Sequence, residues 1–156
     1  MMGHERSIPG GRLLTVIALL AASGGAIGAQ SLSVSGNPSL LRVTTAVAGS
    51  QPNAVSDGAT TYTVTTPGPN RTYKITAQLN TPMPVGVTLT VTFAAPPGAT
   101  SLGAVVLDNT ARDVVTDIPR NTNSTQSITY QVNAVVSAGV VPSSARTVTL
   151  TIIRFP

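Results

Sequence analysis

Thr72-Tyr73-Lys74-Ile75-Thr76-Ala77-Gln78-Leu79-Asn80 (TYKITAQLN), followed after Thr81-Pro82-Met83-Pro84 by Val85 to Phe93 (VGVTLTVTF), is the stretch on which the fold turns. Its apolar residues recur every second position: Tyr73, Ile75, Ala77 and Leu79, then Val85, Val87, Leu89, Val91 and Phe93. The intervening phase is mostly threonine. Successive side chains of a strand point to opposite faces, so each half predicts a strand with one buried and one wet face, the signature of antiparallel sheets. Pro82 and Pro84 remove backbone donors between the halves, and the expected product is a hairpin.

The pattern returns late in the chain. Ile128, Tyr130, Val132, Ala134 and Val136 alternate with Thr129, Gln131 and Asn133, and Val148, Leu150 and Ile152 with threonines, and the link with Gly139 and Pro142 predicts a second hairpin. Weaker strands are expected over Ser31–Ser35, Leu40–Val47, Thr60–Thr66, Gly103–Leu107 and Arg112–Ile118. Turn signals separate them about every ten residues, which points to a sandwich or small barrel. The expected core is Tyr73, Ile75, Leu79, Leu89, Val91, Phe93, Tyr130, Val132, Val148, Leu150 and Ile152.

Upstream of these strands, Arg6 and Arg12 precede the apolar run Leu13–Ala22, and small residues end in Ile27-Gly28-Ala29. These are the three parts of a secretory signal peptide, expected over residues 1–29 with cleavage before Gln30. The apolar run is about half of the ~20 residues a spanning helix needs. Residues 30–156 then form a single domain, secreted or held at the cell surface or in the periplasm. They hold seven basic and four acidic residues, a net charge of +3, with the arginines scattered rather than clustered. Nucleic acid is therefore not an expected partner. No stable membrane span is expected after cleavage.

Cleavage would also remove His4 and Glu5, the only histidine and the only glutamate, and the chain has no cysteine. General acid–base chemistry and activated nucleophiles draw mainly on those residue types. A Ser–Lys dyad through Lys74 is the remaining option, but Lys74 lies in the wet phase of its strand. The chain is therefore read as not an enzyme, with no catalytic residues and no cofactor. Asp108, Asn109, Asp113 and Asp117 are oxygen ligands of the kind calcium takes, yet their spacing fits no calcium loop, and Asp108-Asn109 reads first as a turn. Whether Asp108, Asp113 and Asp117 bind calcium stays open at this point.

Tyr62, Tyr73, Phe93 and Tyr130 fall in buried phases, leaving only Phe155 to face a sugar ring. Asn70-Arg71-Thr72 and Asn123-Ser124-Thr125 match the N-glycosylation pattern. Gln30–Pro38, with Leu32 and Val34 in alternation, is either the first strand of its own sheet or a strand that docks on a neighbour.

The closing segment, Ser127 to Val132 through Gly139 and Pro142 to Arg146–Ile152, is similar to the end of pilin-like domains, which also tend to carry a penultimate aromatic, as Phe155 does here. The chain resembles the exported immunoglobulin-like sandwich proteins of bacteria, a class that includes pilus and spore-coat-like subunits. That resemblance implies an antiparallel, Greek-key, immunoglobulin-like β-sandwich of about seven to nine strands. It also implies a non-catalytic structural or adhesive role, including that of an appendage subunit. Its partners would be itself or other surface proteins through sheet-edge pairing. A carbohydrate- or ligand-binding accessory module is the alternative.

Overall fold

The computed structural model describes residues 29–45, 47–68 and 71–155; the expected leader lies outside these apart from Ala29, as does Asn70. Among the described residues there is no α-helix, only a 3-10 turn at Val136–Ala138. Nine strands follow in order: β1 (Ser31–Ser35), β2 (Val55–Thr65), β3 (Thr72–Leu79), β4 (Val87–Phe93), β5 (Thr100–Ser101), β6 (Ala104–Val106), β7 (Arg112–Ile118), β8 (Asn123–Ala134) and β9 (Val148–Phe155). They build a five-stranded sheet, β1-β2-β8-β4-β6, and a four-stranded sheet, β5-β7-β3-β9. Every pairing is antiparallel.

Period-two alternation explains the core. Tyr62, Val64, Leu89, Val91, Phe93, Ile128 and Tyr130 point inward from one sheet. Tyr73, Ile75, Ala77, Leu79, Val148, Leu150 and Ile152 point inward from the other, and all belong to one buried cluster. Two sheets sharing a core make a β-sandwich. Of the expected core only Val132 is half-buried; the rest are buried.

Both expected hairpins are corrected. β3 and β4 lie in opposite sheets, and so do β8 and β9. Sheets pack about 10 Å apart, and the proline-rich link after Asn80 carries the chain across that gap instead of folding it back. From β2 onward each link crosses, so successive strands alternate strictly between the sheets; only β1 and β2 are consecutive in one sheet. The order also departs from the immunoglobulin sandwich, which divides its strands as ABED and CFG. Numbering the seven longer strands in sequence gives 1-2-6-4 and 5-3-7: the sixth strand stands where the immunoglobulin order has the fifth, and the third, not the sixth, is central in the other sheet.

Three bulges correct the expected phases. In β2 the register shifts between Asp57 and Thr60, where the Ala59 amide donates to Asp57 Oδ1 at 2.9 Å. β2 therefore begins at Val55, five residues earlier than alternation alone indicates. In β7 the register against β3 shifts twice, so the consecutive Val114 and Val115 are both buried and Asp117 takes a φ of 56°. Leu40–Val47 forms no strand among its described residues, and Leu40 and Val47 are exposed. Val85 and Val136 leave their expected buried rows because each lies in a turn.

Candidate interaction surfaces

Lys74, the one basic residue weighed as a catalytic group, lies on the outer face of β3. Its Nζ sits 3.0 Å from the Asp113 carboxylate and 5.5 Å from the centroid of Phe155. An ion pair and a ring contact thus engage its ammonium on the outer face of the sheet.

The aspartates weighed for calcium are engaged separately. Asp108 Oδ1 accepts from the Thr110 amide at 2.8 Å, the side-chain turn expected of Asp-Asn, and its carboxylate pairs with Arg112. The hydrogen bond from Arg112, reinforced by that from Thr110, holds the Asp108 carboxyl below the usual carboxylate range. Asp113 faces Lys74, and Asp117 accepts from the neighbouring Thr116 hydroxyl at 2.9 Å. Among the described residues no three acidic, histidine or cysteine side chains gather as a metal would need.

Tyr62, Tyr73, Phe93 and Tyr130 are buried as their phase predicts. Phe155, half-buried, lies on the outer face of β9 beneath Lys74, off the buried row of Val148, Leu150 and Ile152. Four of the five aromatic rings are thus withdrawn from any sugar-stacking role.

What remains exposed is a broad face and a strand edge. The outer face of the five-stranded sheet is assembled by register into rows. Ser33, Thr63 and Thr125 line up across β1, β2 and β8, as do Ser35, Thr61 and Ser127. Thr129, Thr92 and Ala104 line up across β8, β4 and β6, as do Gln131, Thr90 and Val106. Hydroxyls touch within a row, Thr63 Oγ1 and Thr125 Oγ1 lying 2.7 Å apart. No charged residue occupies any of these rows. Exposed sheet faces ordinarily carry Lys and Glu, which keep a monomer apart from its neighbours.

The four sheet edges are unequal. β5 has two residues, β6 three and β1 five, whereas β9 has eight. The Asn80 amide donates to Thr147 O at 3.0 Å, so the odd residues of β9 direct their backbone groups to β3. In an antiparallel ladder the direction alternates, so Val148, Leu150, Ile152 and Arg154 turn theirs outward. One of these outward carbonyls, Ile152 O, accepts from Gln30 Nε2 at 3.3 Å. Gln30 leads into β1, which pairs with β2 along Ser31–Ser35. Within this chain Ser31–Ser35 is thus the first strand of its own sheet.

A third exposed feature escaped the sequence reading. The Val135 amide donates to Gly86 O at 2.9 Å and the Val136 amide to Gln51 Oε1 at 2.8 Å. These bonds gather three links at one end of the sandwich and present Val85 and Val140, 95% and 99% exposed, to solvent. Alternation had placed Val85 and Val136 in the apolar phase of their strands, and only the turns reverse that.

No protein-family model matches this chain, and neither a curated protein nor a solved structure does.

Proposed function

We propose that this is a non-catalytic structural or adhesive protein that acts outside the cytoplasm, through an uncharged sheet face and a backbone edge and not through a chemical site. The uncharged hydroxyl face of the five-stranded sheet is the observation that carries the reading. Such a face offers many weak, neutral hydrogen bonds and little charge repulsion against a like surface, which suits extended contact with a neighbour more than capture of a small molecule. The signal-peptide pattern of residues 1–29 supports export. The likeness of the closing segment to pilin-like domains supports an appendage subunit as one form of this role.

Light scattering across a concentration series, run beside adhesion to polysaccharide and to protein-coated surfaces, tests the reading. Assembly that grows with concentration, or adhesion lost when Thr63, Thr92 and Thr125 are replaced together by lysine, is expected. A monomer that adheres to nothing would overturn it, and release of product from a hydrolase substrate panel would overturn its non-catalytic part. A strict monomer that binds one glycan would make it a carbohydrate module.

A further inference from the structure

We propose that β9 is a homophilic seam: two copies pair their β9 strands antiparallel about a two-fold axis at Thr151, joining two four-stranded sheets into one. The inference rests on the structural reading above and names the edge and the partner.

Edge length is the first argument. A long free edge is a template for another strand, and natural proteins blunt such edges by shortness, proline or inward charge. The other three edges of this sandwich are short. β9 is long, and from Val148 to Ile153 it contains neither charge, proline nor glycine, every residue but Leu150 being β-branched. That is the composition of a segment that pairs with its own kind.

Geometry selects a second copy over a stranger. The residues with outward backbone groups are Val148, Leu150, Ile152 and Arg154, which are symmetric about Thr151. Rotation about that point sets Leu150 against Ile152 and Val148 against Arg154 of the other copy, and every outward N–H and C=O finds a partner. Leu150 and Ile152 then meet their counterparts on the inner face, extending the core across the seam. Thr151 meets Thr151 on the outer face, as a close, non-hydrogen-bonded pair. In the monomer the Gln30 amide covers Ile152 O, so Gln30 competes with the second copy for that carbonyl.

The test uses the full chain, encoded over all 156 residues, with sedimentation velocity over a concentration series. The wild type is expected to dimerise reversibly. Thr151→Glu sets two carboxylates opposite each other only in the dimer, while in the monomer it lies diagonal to Lys74; loss of the dimer with an unchanged melting curve is expected. Should that variant fold poorly, Arg154→Pro removes an outward N–H without touching the β3 ladder and is expected to weaken the dimer. Gln30→Ala is expected to move dimerisation to lower concentration. Dimers that persist in both seam variants overturn the seam and leave the structural reading standing. So does a wild-type monomer that still adheres to a surface. A wild-type monomer that adheres to nothing overturns both.

Discussion

Removing a hydroxyl from two of the three tyrosines should raise the stability of this protein, and removing it from the third should lower it. The hydroxyls of Tyr73 and Tyr130 are buried with no hydrogen-bond partner among the protein groups around them, whereas Tyr62 donates to Ala94 O at 2.6 Å. A buried donor left unpaired costs about 1–3 kcal/mol relative to water. Tyr→Phe deletes only that donor and keeps the ring, so the loss is limited to the dispersion contacts of one oxygen, a few tenths of a kcal/mol at ~0.1–0.2 per atom pair. Tyr73→Phe and Tyr130→Phe should therefore each gain about 1 kcal/mol, or about 3–5 °C in melting temperature for a domain of this size. Tyr62→Phe gives up a made hydrogen bond and strands the Ala94 carbonyl, a loss of about 1–2 kcal/mol. The chain has no tryptophan, so unfolding in guanidinium is best followed by far-UV circular dichroism. A Tyr130→Phe variant destabilised as much as Tyr62→Phe would refute the reasoning, since it would mean the phenol is bonded to internal water.

The same burial predicts alkaline behaviour. Burial pushes the Tyr130 hydroxyl up to about 12, and it pushes Tyr62 higher still. Their neutrality contributes stability that is intact below the ordinary tyrosine value of about 10 and lost as pH rises through the folded values. Phenolate absorbance should therefore lag a free-tyrosine standard and then rise together with loss of the dichroism signal. At acid pH the sign reverses: hydrogen bonds from Ser39 and then from the Ala59 amide lower Asp57, and those from Arg112 and Thr110 lower Asp108. Stability should fall as pH drops below about 4. The fall should be small because both groups are exposed, and Asp57→Asn should shrink it in denaturation midpoints compared at neutral and acid pH. Gly86 and Gly103 share positive φ, 77° and 70°, but a Cβ on Gly86 would lie 2.7 Å from Ala138 Cβ while one on Gly103 meets nothing within 4 Å. Gly103→Ala should cost about 1–2 kcal/mol of backbone strain and Gly86→Ala distinctly more; equal denaturation midpoints would mean the link beside Gly86 yields freely.

Local alternation made the strands and most of the core legible, because a strand's inward face is written into every second residue. Tyr73, Ile75, Leu89, Val91, Phe93, Tyr130 and Leu150 needed nothing else. The sequence does not say which strand lies beside which. The Asn80–Gly86 link is equally compatible with folding back and with crossing to the opposite sheet, and only partners brought from β7, β8 and β9 decide it. Bulges hide the rest: Asp57 and Gly58 break the row that makes Val55–Thr65 one strand, and the double shift in β7 buries Val114 beside Val115. The threonine phase was readable strand by strand, but its rows exist only once β1, β2, β8, β4 and β6 stand in register. The β9 edge was invisible for the same reason, since an edge is a property of sheet order.

Strict alternation between sheets also connects the fold to the proposed seam. Because each link from β2 onward crosses the core, the ladders of β2, β3, β4 and β9 join strands far apart in sequence. Loop closure must precede any reward from such pairings, which slows folding and lengthens the time for which strands stand open. β9 is the extreme case: it is the last of the nine described strands, and its ladder with β3 joins residues as far apart in sequence as Thr72 and Phe155. Until β9 docks, the core lacks Val148, Leu150 and Ile152, and β3 offers an open edge that the β9 of any copy fits. The composition that makes β9 a seam in the folded protein therefore makes it the segment most exposed to exchange during folding. Gln30, by covering Ile152 O from the first strand, acts against both.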